Sequence, residues 1–287
     1  LREIGQDGIL SVPFYDCKRK KVTYLPYNLT FILSGSNGMA SGNTPEEGIF
    51  QALCELVERY SARTVYFDKL TPPTIPDEVL SKYPSEYNVI LDLRQSGYEI
   101  QIKDFSCGLG LPAVGVLLID RRTNKYRLNI GAETSFQYAL SRGLTEIYQG
   151  IGDDSTMKKY MLDIPTKYPD YFLDESPQSQ KRKEKELRNY IINGQGVFPP
   201  SLFACKDSYS FSGNTFLSHD SYKDEVRYLI DLFSLLGHSV FIRDVSFLGF
   251  PSFYVYIPSF SVWGRKTNHD APTSHAIKNS IEHYRIE

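Results

Sequence analysis

The sequence predicts an α/β chain of the α+β kind with partly antiparallel sheets, and three observations carry that expectation. A helix end followed by a hairpin is used twice: residues 93–120, LRQSGYEIQIKDFSCGLGLPAVGVLLID, and residues 233–258, FSLLGHSVFIRDVSFLGFPSFYVYIP, share one layout. Each copy has a glycine at the helix end (Gly97, Gly237), an alternating strand to an aspartate (Asp104, Asp244), a Gly-x-Pro turn (110–112, 249–251) and a second apolar strand. Two amphipathic helical stretches, 44–59 and 134–150, then supply a helical layer.

The remaining elements follow in order. Residues 22–33, VTYLPYNLTFIL, are rich in β-branched and aromatic side chains and predict one or two strands. A glycine-rich run, SGSNGMASGN (34–43), leads into a helix from Pro45. Residues 71–84 form a proline-punctuated connection with a short helix, and 87–97 end a helix with Gly97 as its C′ residue. Strands are expected at 98–105, 112–120 and 126–131, before a second helix over 135–149. Residues 151–215 differ: they carry several prolines, no sustained periodicity and the charge run KRKEKELR (181–188). They read as an insertion or long excursion whose charge run makes a solvated surface helix.

The 287 residues suffice for a substantial core. Lysine plus arginine (32) nearly balance aspartate plus glutamate (34), so no direct nucleic-acid partner is expected. No apolar run approaches the roughly 18 residues of a membrane helix. Cys17, Cys54, Cys107 and Cys205 lack metal or CxxC spacing, which fits a reduced, cytoplasmic protein. His219, His238, His269, His275 and His283 are dispersed, so structural or surface roles are expected of them. Leu1 is not an initiator methionine, so a fragment or processed product is expected.

The helix TPEEGIFQALCELVER (44–59) raises the functional question. Thr44 suits N-cap, Pro45 suits N1, and Glu47 can reach back toward the cap. At about 100° per residue, Ile49, Phe50, Leu53, Leu56, Val57 and Tyr60 share an apolar arc. Glu47, Gln51, Glu55 and Glu58 occupy an opposite arc of about 80°, with Arg59 at its edge. The spacing admits two readings. One is a solvated face with surplus glutamates, since like charges at these spacings cost only about a few tenths of a kcal/mol per pair. The other is hard oxygen ligands for Mg²⁺, held between protein and nucleotide phosphates beside a glycine-rich loop at a helix N-terminus. That loop is not followed by Gly-Lys-Ser/Thr, so it is not a P-loop.

The helix TSFQYALSRGLTEIYQG (134–150) places Arg142, Glu146 and Gln149 on a narrow polar arc opposite Phe136, Ala139, Leu140, Gly143, Leu144 and Ile147. It too admits two readings, a routine surface Arg–Glu pair or a phosphate clamp with further metal or nucleotide ligands.

Residues 36–61, SNGMASGNTPEEGIFQALCELVERYS, resemble the YcaO family signature, an SNG-x-x-x-GNT loop entering an ExxER helix. Residues 131–150, GAETSFQYALSRGLTEIYQG, resemble the family's second signature, a Gly-Ala loop followed by ALxRxxTExxQ. Residues 211–233 and 243–261 resemble its later part, particularly in the enterobacterial branch. The resemblance implies a YcaO-type sandwich of mixed sheets with helices over 1–287, binding ATP and Mg²⁺ without a P-loop and lacking its N-terminal part. It implies phosphorylation of a peptide amide oxygen, followed by attack of a nucleophile, or support of ribosomal-protein methylthiolation in the enterobacterial branch.

Matched position by position, the resemblance gives Asn43, Arg59, Arg142 and Gln149 nucleotide contacts, and Glu47, Glu55, Glu58 and Glu146 metal contacts. It also implies a peptide or ribosomal-protein substrate, a partner modification enzyme and a homodimer. The family's earlier Gly-Lys-Gly segment and second ExxER helix have no counterpart here. The expectation is therefore an enzyme in the full-length parent and an inactive fragment. The rival reading is an accessory module without catalysis.

Overall fold

The computed structural model describes residues 10–148, 154–205, 221–247, 249–262 and 264. In chain order the strands are β1 (Ser11–Asp16), β2 (Lys21–Pro26), β3 (Met39–Ser41), β4 (Glu99–Asp104), β5 (Ala113–Asp120), β6 (Lys125–Ala132), β7 (Leu162–Asp163), β8 (Phe241–Asp244) and β9 (Ser252–Tyr256). The α-helices are α1 (Tyr27–Ser34), α2 (Pro45–Phe67), α3 (Asp77–Leu80), α4 (Pro84–Gln95), α5 (Phe136–Ile147), α6 (Asp154–Lys159), α7 (Asp170–Leu173), α8 (Pro177–Asn193) and α9 (Tyr222–Leu235). Two compact units divide the chain, residues 1–56 with 219–287 and residues 57–218.

The first unit holds a five-stranded sheet in the order β2-β1-β8-β9-β3. Its paired strands run antiparallel. β1 alternates between exposed and buried positions, as a half-buried strand should. Its inward Val12 and Phe14 pack with Tyr254 and Tyr256 of β9. The strand expected over 22–33 ends at Pro26, and Tyr27–Ser34 is helical. Hydroxyls account for the change locally. Thr30 Oγ1 donates to the Tyr27 carbonyl at 2.9 Å, and Ser34 Oγ to that of Thr30 at 2.7 Å, so polar groups in an apolar run are satisfied within the helix. Gly35, at φ 57°, then ends it.

The second unit is built on the antiparallel sheet β4-β5-β6-β7. All eight positions of β5 are buried, so both faces of the sheet are covered. Val114, Val116 and Leu118 join a core with Ile90 and Leu93 of α4 and Leu140, Leu144 and Ile147 of α5. Positions of the other parity meet an aromatic layer. Tyr126 Oη donates to the Gly196 carbonyl at 3.0 Å and accepts from the Phe198 amide at 2.9 Å. Tyr66 and Tyr190 pack edge-on to Phe198, with ring centroids 5.4 and 4.9 Å away.

Helix α5 lies close against β6 because a glycine stands on each side. A Cβ on Gly131 would fall 2.6 Å from the Gly143 amide nitrogen, and one on Gly143 would fall 2.9 Å from Val116 Cγ2. The charge run 181–188 lies in α8, which is not wholly solvated: Lys183, Glu186, Leu187 and Tyr190 are buried. Their spacing is a helical stripe, hidden from a hydropathy reading because two of its four members are charged. Lys183 escapes an unpaired burial by donating to the Asp174 carbonyl at 3.0 Å and to Glu175 at 3.3 Å.

Candidate functional site

In the first unit the expected cap of α2 forms. The Glu47 amide donates to Thr44 Oγ1 at 3.2 Å. The Glu47 carboxylate reaches one residue further back than expected, accepting from the Asn43 amide at 2.7 Å and from Asn43 Nδ2 at 3.0 Å. Asn43 and Glu47 are thus brought together. Glu55 accepts from the Gly38 amide at 3.1 Å, so a carboxylate of the chain itself engages the glycine run. That position needs glycine twice over: φ is 82°, and a Cβ would fall 2.2 Å from the Val255 carbonyl oxygen.

In the second unit, Glu58, Arg59 and Glu146 line one cavity of about 240 Å³. Arg127 and Asn129 of β6 and Tyr190 of α8 line it with them. Glu58 is only 4% exposed, so this position of the helix is not a solvated face. Its carboxylate accepts from Arg59 Nη1 at 2.6 Å, a charge-assisted bond that offsets burial. Asn129 is a bracket: Oδ1 accepts from Arg127 Nε at 3.2 Å, while Nδ2 donates to the Glu146 carbonyl at 3.1 Å. The last turn of α5 is thereby tied to β6.

The electrostatics agree with that geometry. Burial first, and then the Glu58 and Glu146 carboxylates, hold the Tyr190 phenol protonated well above its ordinary range. Burial lowers the Arg127 guanidinium from its usual value, while Tyr190, Tyr160 and Glu146 act in the opposite sense. Among the described residues, no group of three or more His, Cys, Asp or Glu is assembled to hold a metal ion. Two carboxylates from different helices are the number Mg²⁺ commonly takes from protein when phosphates and waters complete its shell. The oxygen-only acid set with guanidiniums beside it therefore fits Mg²⁺ with a polyphosphate, and not a softer metal.

Arg142 is half-buried on α5 and does not line this cavity; its Cβ lies 2.9 Å from where a Gly131 Cβ would stand. Gln149 lies outside the described residues, as do Trp263, whose place in SFSVWG suggests a packing or interface role, and four of the histidines, His219, His269, His275 and His283. The fifth, His238, bonds Ser259 Oγ through Nδ1 at 2.7 Å, a structural contact. Reading the sequence misses Arg127, Asn129 and Tyr190. A signal for the first two was present: polar residues alternate with Tyr126, Leu128 and Ile130 on a strand that both faces bury.

These features define a class, an antiparallel α/β protein with an acid- and guanidinium-lined cavity and no P-loop after its glycine run. The family model described as YcaO cyclodehydratase, ATP- and Mg²⁺-binding, matches residues 5–261, and the chain belongs to the YcaO family. It is 29% identical over 259 residues to the ribosomal protein S12 methylthiotransferase accessory factor YcaO of Escherichia coli, a match covering 88% of this chain and 41% of that protein. An uncharacterized protein of Haemophilus influenzae is 26% identical over 254 residues, again 88% and 41%. The chain thus spans less than half the length of these curated relatives.

Among solved structures, a heterocyclase in complex with substrate and cofactor matches with TM-score 0.61 at 20% identity, over 89% of this chain and 34% of that one. YcaO from Methanopyrus kandleri bound with AMPPCP and Mg²⁺ matches with TM-score 0.58 at 19% identity, over 91% and 69%. At these identities the likeness is one of fold, and the expected α/β architecture is the YcaO one.

Proposed function

We propose that this chain is the Mg-ATP-binding part of an enzyme that activates a peptide backbone amide by phosphorylation. The observation that carries the reading is the second unit's cavity, where Glu58 and Glu146 from two helices stand with Arg59 and Arg127. Mg²⁺ and ATP would supply the transferable phosphoryl group and neutralise its charge. The chain's own residues do the rest. Glu58 and Glu146 present oxygen ligands, and the Arg59 pairing orients Glu58 although it is buried. The Asn129 bracket fixes the end of α5 that carries Glu146. The motif match assigns Asn43, Glu47, Glu55, Arg142 and Gln149 the remaining nucleotide and metal contacts.

A second reading is favoured by the Escherichia coli relative's description as an accessory factor. There the nucleotide site would serve a partner modification enzyme acting on a ribosomal protein, without turnover of its own.

Calorimetric titration of the full-length protein with Mg-ATP tests the shared premise, and Glu58→Gln should weaken binding about 10- to 100-fold. Undiminished affinity in that variant would remove Glu58 from the site. ATP hydrolysis stimulated by a candidate peptide separates the two readings, since the accessory reading expects binding without stimulation.

A further inference from the structure

Arg127 is 6% exposed, and its surroundings leave most of its donors unused. Nε donates to Asn129, while neither Nη atom has a hydrogen-bond acceptor or ion-pair partner among the described residues. The Tyr160 ring lies 5.8 Å from the guanidinium carbon, and the Glu146 carboxylate attracts it. Arg127 lines the cavity, and its Nη atoms are not among the sealed polar atoms without partners, so these donors open onto the cavity, where an anion can meet them.

Register sharpens the point. Arg127 stands opposite Leu118 and Asn129 opposite Val116, both members of the apolar core under α5. A folding core gains nothing from a guanidinium there. Gly194 leaves space beside it: a Cβ at that position would come within 3.9 Å of Arg127 Nη2.

We propose that Arg127 is an oxyanion-binding residue of this cavity, pre-oriented by Asn129 so that its Nη donors engage a phosphoryl group. This rests on the Mg-ATP reading for the identity of the phosphoryl group, but not for the existence of the anion site. The planar fork suits two parallel bonds to phosphate oxygens, which a lysine cannot reproduce.

The experiment is a calorimetric or NMR titration of the full-length protein, wild type and Arg127→Met, with Mg-ATP, adenosine and orthophosphate as separate probes. Mg-ATP affinity should fall about 10- to 100-fold in Arg127→Met, while adenosine affinity changes by less than about twofold. Equal Mg-ATP affinity in a folded Arg127→Met would overturn the assignment and leave the nucleotide reading standing. If the wild type binds no Mg-ATP, that reading falls and orthophosphate decides Arg127 alone. Saturable phosphate binding abolished by Arg127→Met then supports the anion site, and its absence from the wild type overturns it. Should Arg127→Met fail to fold, Arg127→Lys is read instead. It keeps the charge and loses the fork, so weaker Mg-ATP binding with unchanged adenosine binding is expected, and wild-type affinity would refute the fork.

Discussion

Residues 84–120 and 222–256 make the same sequence of helix, glycine cap, strand, turn and strand, one in each compact unit. Their turns share two side-chain bonds. Asp104 Oδ1 accepts from the Ser106 amide at 2.8 Å, and Asp244 Oδ1 from the Ser246 amide at 2.8 Å. Ser106 Oγ then accepts from the Ala113 amide at 3.3 Å, and Ser246 Oγ from the Ser252 amide at 2.9 Å. The helix-ending glycines sit at φ 90° and 83°. The strands differ. Ile102 and Lys103 of β4 are buried, and Lys103 donates to the Ala204 carbonyl at 2.9 Å. Their counterparts Ile242 and Arg243 of β8 are half-buried, with Arg243 over the Tyr27 ring. Turn chemistry is decided within a few residues, whereas burial depends on which distant segment covers the strand.

Matched substitutions should break the two copies apart. Ile102→Ala empties a closed core and is expected to cost about 3 kcal/mol, against about 1 kcal/mol for Ile242→Ala. Urea denaturation of the pair measures this, and equal costs would mean that the burial difference carries no energetic weight. At the turns the copies should instead agree. Gly110 and Gly249 have φ of 74° and 87°, and an added Cβ meets nothing within 4 Å at either. Alanine there adds only backbone strain, about 1 kcal/mol in each copy by the same measurement. A cost several-fold larger in one copy would show that the turns are not equivalent.

The same division explains what could be read from the sequence. Both hairpins were legible because Gly97, Gly237 and the Gly-x-Pro turns act locally, and so was the Thr44 cap. Tyr27–Ser34 was misread as strand because its hydroxyls are satisfied by its own helical carbonyls, which hydropathy does not register. At the candidate site, Glu58, Arg59 and Glu146 could be named from helical spacing and motif likeness, whereas the pairing of Arg59 with its sequence neighbour Glu58 could not. Arg127 and Tyr190 did not. They reach the cavity from a strand about 70 residues after Glu58 and a helix about 130 after it, and only tertiary packing joins them.

The smallest expected effect lies where one copy has a staple that the other lacks. Arg94 near the end of α4 grips Asp77 through two nitrogens, at 2.7 and 2.9 Å, and Tyr87 Oη adds a third bond at 3.2 Å. Ser234 stands at the equivalent position of α9. The Arg94 hydrogen bonds are the main cause holding the Asp77 carboxyl below its ordinary range. A depressed carboxylate adds stability that is fully present above the unfolded value of about 3.9 and is lost as pH falls through the lower folded value. The pair is substantially exposed, 33% for Arg94 and 47% for Asp77, so screening keeps the contribution below about 1 kcal/mol. Wild type should therefore exceed Asp77→Asn in stability at pH 6 by that small margin, and the margin should narrow as pH falls below the unfolded value and shrink in high salt. A gap that stayed constant from pH 6 to pH 3 would show that Asp77 contributes through uncharged hydrogen bonds alone.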